Sequence, residues 1–230
     1  MNPTLRHASA HVFVESLAAP QLDPADAHHL TRVLRLRTGS PVTASDGAGG
    51  WVPCVLSAGG GLEATGAIVE VPAPATSLTI ASAVPKGDRP ELIVQKLTEI
   101  GVDRIVFVAT ARTVVRWDEH RGERQLERLR RVAREAAMQS RRTRLPLVDG
   151  VVALADVLGG SGVVVAEPGG RPLDPGDHTV VVGPEGGFDP VELGDDVDRV
   201  DLGETVLRVE TAAIVAATLL VASAGRHRTR

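Results

Sequence analysis

Thr179-Val180-Val181-Val182 runs straight into Gly183-Pro184-Glu185-Gly186-Gly187-Phe188, and this junction decides the fold. The short run of β-branched residues has no polar alternation, so it reads as a strand buried on both faces, as in a parallel sheet. The glycines after it let main-chain N–H and C=O groups approach a ligand with no Cβ in the way. Pro184 limits how far the turn relaxes. Ligands of parallel α/β sheets sit beyond the carboxyl ends of the strands, so the turn reads as a binding loop as well as a strand end.

Working outward, apolar runs at 78–84, 104–109 and 162–166 alternate with helical patterns at 88–100, 120–140 and 151–159. Asp189-Pro190 opens a short helix to about Leu193, Arg199–Leu202 makes a last strand, and Val209–Ala224 a last helix. Alternation of this kind predicts an α/β domain with a mostly parallel sheet covered on both faces. A second glycine-bearing loop, Leu202-Gly203-Glu204-Thr205-Val206-Leu207-Arg208-Val209-Glu210-Thr211-Ala212, also follows a strand and enters the last helix. Two backbone-lined loops at adjacent strand ends suit a flat heterocycle such as adenine, whose edge carries both donors and acceptors.

The first seventy residues read differently. Ala10–Glu15, Pro41–Ser45, Trp51–Ser57 and Leu62–Val71 are strand-like, and Asp46-Gly47-Ala48-Gly49-Gly50 is a hairpin signal. One helix interrupts them, with Asp23 as N-cap and Pro24 at its first position, running to about Leu36. Pro72-Ala73-Pro74-Ala75-Thr76-Ser77 reads as a linker. The expectation is a small β-barrel over 1–73 and an α/β domain over 74–230.

Composition excludes several classes. With 230 residues, 43% hydrophobic and 23% charged, the chain is globular rather than disordered. A single cysteine, Cys54, leaves no intramolecular disulfide or paired-cysteine metal site. The P-loop, the dinucleotide fingerprint, the serine elbow and the zinc-protease motif are missing, and the adjacent His28-His29 pair points its rings apart on a helix, so no metal is expected. The start, Met1-Asn2-Pro3-Thr4-Leu5-Arg6-His7, has no apolar run of signal length, and the apolar stretch Ala212–Ala222 is too short to span a bilayer. A cytoplasmic protein without membrane contact is expected.

The two loops carry a resemblance. Gly183-Pro184-Glu185-Gly186-Gly187-Phe188, followed by Leu202-Gly203, Val206-Leu207-Arg208 and Glu210-Thr211-Ala212, is similar to the signature of the SPOUT RNA methyltransferases. More narrowly the chain resembles the bacterial family that methylates N3 of a uridine in 16S ribosomal RNA of the small subunit. His29–Arg35, Lys86-Gly87 with Gln95-Lys96, Glu99 and Gly101-Val102, and Arg134 with Gln139-Ser140 and Arg142 fit that family. The chain departs from its pattern at Met138, Arg141 and Thr205, where relatives carry Glu, Gly and often a basic residue.

The resemblance implies a PUA-like β-barrel for RNA, then a SPOUT α/β domain with a deep trefoil knot, and a homodimer. It implies S-adenosylmethionine as cofactor, cradled by Ala166, Glu167, Gly183, Pro184, Glu185, Gly186, Gly187, Leu202, Gly203, Val206, Leu207, Thr211 and Ala212. Methyl transfer to uracil N3 needs in-line positioning, loss of the N3 proton and stabilisation of the imide anion. Arg208 is the expected anion stabiliser. Glu210 is a candidate base, with a helix N-terminal charge favoured by the dipole as the other reading. A different SPOUT activity, such as methylation of a tRNA ribose 2′-OH, and a non-catalytic RNA-binding assembly module are the alternatives.

The net charge of −4 hides a partition: residues 112–144 hold 11 arginines against 5 acids, and residues 145–210 hold 3 basic against 14 acidic side chains. Arg141, Arg142 and Arg144, after the helix, are expected to contact RNA phosphates, with Arg32, Arg35 and Arg37 on the barrel as a second contact.

Overall fold

The computed structural model describes residues 2–113, 119–194 and 196–226, with side chains in helix 119–140 described from residue 122 onward. The chain divides into two compact units, Met1–Pro74 with Arg134–Leu145, and Ala75–Ala133 with Pro146–Arg230.

The first unit holds α1 (Pro3–His7), β1 (Ala10–Phe13), α2 (Pro24–His28), β2 (Pro41–Ser45), β3 (Gly50–Leu56), β4 (Leu62–Ala64) and β5 (Val69–Glu70). Its sheet runs β1-β2-β3-β4, with β5 also on β3; β1 lies parallel to β2, and the other pairings are antiparallel. Asp23 caps α2 as expected, its Oδ1 accepting from the Asp26 amide at 2.7 Å. The helix then widens into a π-helical turn over His29–Val33 and ends before the expected Leu36. In the hairpin, Asp46 Oδ1 accepts from the amides of Ala48 and Gly50 at 2.7 and 3.0 Å, fixing the connection between β2 and β3.

The expected single strand Leu62–Val71 is two short ones. Pro53 on β3 has no N–H to continue the ladder, so pairing with β4 stops at Cys54↔Ala64 and resumes with β5 only at Trp51↔Val69. Val12, Leu30, Val42, Ala44, Val52 and Leu56 fill the core, and Met138 packs against it from the returning segment.

That return corrects the expected division at residues 73 and 74, because Arg134–Leu145 belongs with the first unit. The cause is polar as well as apolar. Buried His11 donates from Nε2 to the Arg142 carbonyl at 2.9 Å, and its Nδ1 pairs with Thr43 Oγ1 at 2.8 Å. A carbonyl can only accept, so the neutral ring carries its proton on Nε2 and accepts from the threonine. Burial pushes the His11 pKa down to about 4, which keeps the ring neutral. Ser45 Oγ lies 2.9 Å from the Thr143 carbonyl and 2.6 Å from that of Gly50.

The second unit holds β6 (Thr79–Ala83), α3 (Arg89–Ile100), β7 (Arg104–Ala109), β8 (Leu147–Ala153), α5 (Leu154–Leu158), β9 (Val163–Arg171), β10 (Thr179–Val182), α6 (Pro190–Leu193), β11 (Arg199–Val200) and α7 (Val209–Ser223). Helix α4 (Glu119–Ser140) continues from this unit into the first. The six-stranded sheet is parallel throughout, in the order β11-β9-β10-β6-β7-β8. Successive residues alternate between its faces. Ile80, Val164 and Val180 pack with α3, α4 and α7, whereas Ala81, Val165 and Val181 pack with Leu154, Phe188 and Leu193.

Two elements depart from the sequence reading. Strand β8 stands where a helix over 151–159 was expected, and only Leu154–Leu158 is helical. Within β8, Asp149-Gly150 bulges against a single residue of β7, between the pairs Ile105↔Val148 and Phe107↔Val151. Arg104 holds the Asp149 carboxylate at 2.6 Å across that edge. Helix α1 was not expected either; Asn2 caps it by accepting from the Thr4 amide at 2.9 Å. Among the described residues, no helix is long and apolar enough to cross a membrane.

Candidate functional site

Register puts the carboxyl ends of β10 and β6 beside the middle of β9: Val182 on β10 pairs with Ser82 on β6 and with Ala166 on β9. Beyond that edge a cavity of about 220 Å³ opens. One wall is the bulged middle of β9, where the register slips between Val165 and Arg171 opposite Arg199 and Val200, and Ala166, Glu167 and Pro168 face the space. A second wall is the turn after β10, through Gly183, Pro184, Glu185, Gly187 and Phe188. The third is the loop into α7, through Asp201, Leu202, Gly203, Thr205, Val206 and Leu207, with Val209 and Ala212 from the helix itself.

Gly183 is required by close approach. A Cβ there would stand 2.7 Å from Phe188 Cε2, and that ring is 6% exposed within its core cluster. Gly186 is different: a Cβ would meet only Arg112 Cδ at 3.8 Å, and the residue does not line the cavity. Its carbonyl instead accepts from Arg112 Nη1 at 2.9 Å, so Arg112, from the loop after β7, fastens the turn from outside. Thr211 likewise lies outside the lining, while the other eleven residues of the expected cradle are in it.

Asp201 fastens the other wall. Its Oδ1 accepts from the Gly203 amide at 2.8 Å and its Oδ2 from the Gly169 amide at 2.9 Å, tying the β9 bulge to the loop before α7. These two N–H groups hold its carboxyl below the usual carboxylate range. Glu167 pairs with Arg199 at 3.2 Å, and Glu185 with Arg89 at 3.4 Å. The cavity thus presents Glu167, Glu185 and Asp201 among apolar and backbone groups, and no basic side chain among the described residues that line it.

The two expected catalytic residues flank the cavity rather than line it. Arg208 is exposed at the N-cap of α7, between lining residues Leu207 and Val209. Glu210 sits in the first turn of α7 with its side chain 12% exposed, Oε1 3.6 Å from Arg89 Nε, and Oε2 buried with no hydrogen-bond partner. Of the remaining lining residues, Pro168, Phe188, Thr205 and Val209 fall within the three expected loops, and sequence reasoning misses Asp201 and Val182. Only Asp201 has a legible signal, an Asp-x-Gly turn at a strand end whose carboxylate reaches the amide two residues on.

In the first unit, Arg32, Arg35 and Arg37 are exposed around the π-helical turn, with Arg35 in the left-handed region at φ 53°. Arg141 and Arg144 turn inward: Arg141 donates to the Ala8 carbonyl at 2.9 Å and Arg144 to that of Val71 at 2.7 Å. Arg141 also has φ 60°, a left-handed conformation that glycine adopts more readily than arginine. Arg142 is half-buried, and its carbonyl is the acceptor for His11.

The family model for the RNA methyltransferase domain matches residues 72–221, and that for the RNA methyltransferase PUA domain matches residues 22–69. The chain belongs to this RNA methyltransferase family. A relative in Mycobacterium tuberculosis, named ribosomal RNA small subunit methyltransferase E, is 37% identical over 223 residues, covering 86% of this chain and 84% of the relative. The structure of a putative methyltransferase from Legionella pneumophila in complex with S-adenosylmethionine matches with a TM-score of 0.80 at 25% identity, over 92% of this chain and 96% of that one. A ribosomal RNA small subunit methyltransferase E from Neisseria gonorrhoeae, bound to S-adenosylmethionine, matches with a TM-score of 0.76 at 25% identity, over 94% and 97% of the two chains. Family membership thus covers both parts of the sequence pattern, the strand-rich start and the glycine loops.

Proposed function

We propose that this protein uses S-adenosylmethionine to methylate N3 of a uridine in 16S ribosomal RNA of the small ribosomal subunit. The observation that carries the reading is the cavity where the two glycine loops meet. Its donor set fits the cofactor: backbone groups and apolar walls suit adenine, and a rim of carboxylates without a lining cation suits a molecule bearing a sulfonium and an ammonium. When bound, S-adenosylmethionine supplies an electrophilic methyl group. The relatives named for this ribosomal activity, and the two neighbours solved with that cofactor, support the assignment.

In this reading the residues at the rim act on the substrate. Arg208, exposed beside the lining residues Leu207 and Val209, donates to uracil oxygen and stabilises the imide anion as it forms. Glu210, held by Arg89 in the first helical turn, fits the anchoring role better than that of a mobile base. The N3 proton then leaves to solvent. The target uridine is unpaired or flipped, because N3 is otherwise engaged in pairing.

The first unit, a PUA-like barrel in this reading, binds RNA chiefly through Arg32, Arg35 and Arg37. Arg141, Arg142 and Arg144 are secondary contacts; a guanidinium has five donors, so the bonds of Arg141 and Arg144 to carbonyls leave N–H groups for phosphate. The second unit carries the deep trefoil knot of the SPOUT fold. The protein acts in the cytoplasm as a homodimer whose contact covers Val206, at the cavity, and Val191, on α6, apolar side chains 97% and 92% exposed.

Calorimetric titration with S-adenosylmethionine tests the reading, followed by transfer of a labelled methyl group to small-subunit ribosomal RNA. Saturable binding and label in the RNA are expected. Absence of binding would overturn both the cofactor and the activity.

A further inference from the structure

We propose that Arg89 is a positioning residue that couples the two loops of the cofactor site and so sets its affinity. The inference rests on the cofactor reading above. Arg89 is the first residue of α3 and comes from the loop after β6, a strand whose neighbour β10 feeds the Gly183–Phe188 turn. Its guanidinium lies between two carboxylates: Nη1 is 3.4 Å from Glu185 Oε1, and Nε is 3.6 Å from Glu210 Oε1. Glu185 belongs to the first glycine turn and Glu210 to the helix turn that ends the second loop. One side chain therefore bridges both.

The exposed middles of the loops, 185–187 and 203–206, need such a bridge, because only the ends, at Phe188 and Leu202, are anchored in the core clusters. Gly187 and Gly203 have nothing within 4 Å of the space a Cβ would fill, and both lie at positive φ. A turn without side-chain packing is held by its hydrogen bonds and ion pairs, so the contacts at its edges decide how well it is ordered before a ligand arrives. Arg112 and Asp201 each fasten one side of the site, through the Gly186 carbonyl and through the Gly203 and Gly169 amides. Arg89 joins one wall to the other. Glu210 also depends on it, since one oxygen faces the guanidinium and the second is buried without a partner. Removing the arginine leaves a largely buried carboxylate without its counter-charge.

The test compares the wild-type chain with Arg89→Ala and Arg89→Lys. In the ligand-free proteins, hydrogen exchange should quicken in both 183–188 and 203–210 for the alanine variant. Its dissociation constant and KM for S-adenosylmethionine should rise about 3- to 30-fold, with kcat at saturation within about twofold of wild type. Arg89→Lys, which keeps a cation but not the fork, should recover at least half of the missing affinity on a logarithmic scale. Exchange unchanged in either loop, or a fall in kcat with KM unaltered, would overturn the coupling role. So would a lysine variant as impaired as the alanine one. If the wild-type chain does not bind S-adenosylmethionine, the proposed function fails, and the exchange comparison still decides the role of Arg89.

Discussion

Replacing Gly183 by alanine adds one methyl group at the place where the cavity wall meets the core. The new Cβ would lie 2.7, 3.0 and 3.1 Å from three carbons of the Phe188 ring, where ordinary contact begins at about 3.4 Å. The ring has no room to retreat, being 6% exposed among Ala81, Val106, Val181 and Leu193. The strain falls on the turn, whose Pro184 resists adjustment, or on the core, where overpacking of this kind costs about 1–3 kcal/mol. Phe188 and Gly183 both line the cavity, so a displacement of several tenths of an ångström reshapes the adenine-sized space. A loss of about 1.4 kcal/mol in cofactor binding is a tenfold weaker dissociation constant. Gly186→Ala is the control, because its Cβ would meet only Arg112 Cδ at 3.8 Å. Urea unfolding and calorimetry with S-adenosylmethionine read both effects. Gly183→Ala should unfold at lower denaturant and bind at least several-fold more weakly, and Gly186→Ala should match wild type within about twofold. Equal behaviour of the two variants would refute the close-approach argument.

Other expectations follow from the polar contacts. The His11 pKa falls from 6.5 to about 4 on folding, so the unfolded chain takes up the proton first; stability is full above pH 6.5 and is lost as pH drops toward 4, by about 3 kcal/mol. Urea titrations across that range should show the loss, and His11→Gln should flatten it; an unchanged slope would contradict the buried-neutral assignment. Arg134 pairs with Asp26 at 2.6 Å and lies over the Phe13 ring at 5.4 Å, so Arg134→Ala should destabilise the chain by about 1–3 kcal/mol, read by chemical unfolding. Burial raises the Asp26 pKa, so the deficit should be larger at pH 7 than at pH 4. Asp201→Asn should weaken cofactor binding by loosening two loop amides. Because those amides lower the Asp201 pKa, wild-type affinity should survive below the usual carboxylate range; an early loss that follows an unshifted carboxyl would count against this role. Arg32, Arg35 and Arg37 replaced together by glutamine should flatten the salt dependence of RNA binding, by up to about 0.9 in log–log slope for each duplex phosphate no longer neutralised.

Much of this architecture is legible in the residues themselves. The buried strand Thr179–Val182, the glycine turns and the Asp23-Pro24 helix start all follow from local chemistry that the fold leaves in force. What was not legible depends on partners distant in sequence. The expected helix over 151–159 gives way at its start to β8, whose Asp149 is held in a bulge by Arg104 of the adjacent strand. The arginines at 141–144 read as an unpaired cluster, but two of them bond the Ala8 and Val71 carbonyls, 133 and 73 residues away. Met138 packs against the core of the first unit, far in sequence from the strands it covers. Arg89 and Arg112 act on the glycine turn through separations of 96 and 74 residues, which no spacing rule anticipates. Glu210 could be read as a base or as a helix anchor from sequence, and its contact with Arg89 favours the anchor.

The proposed activity is defined by the atom that receives the methyl group. Small-subunit ribosomal RNA lacking the modification, incubated with the purified protein and S-adenosylmethionine and digested to nucleosides, identifies that atom by mass spectrometry against synthetic standards. N3-methyluridine is expected, and it should be absent when Arg208→Ala replaces the wild-type protein. A ribose 2′-O-methylated nucleoside, or RNA returned without an added methyl group, would contradict the proposed activity.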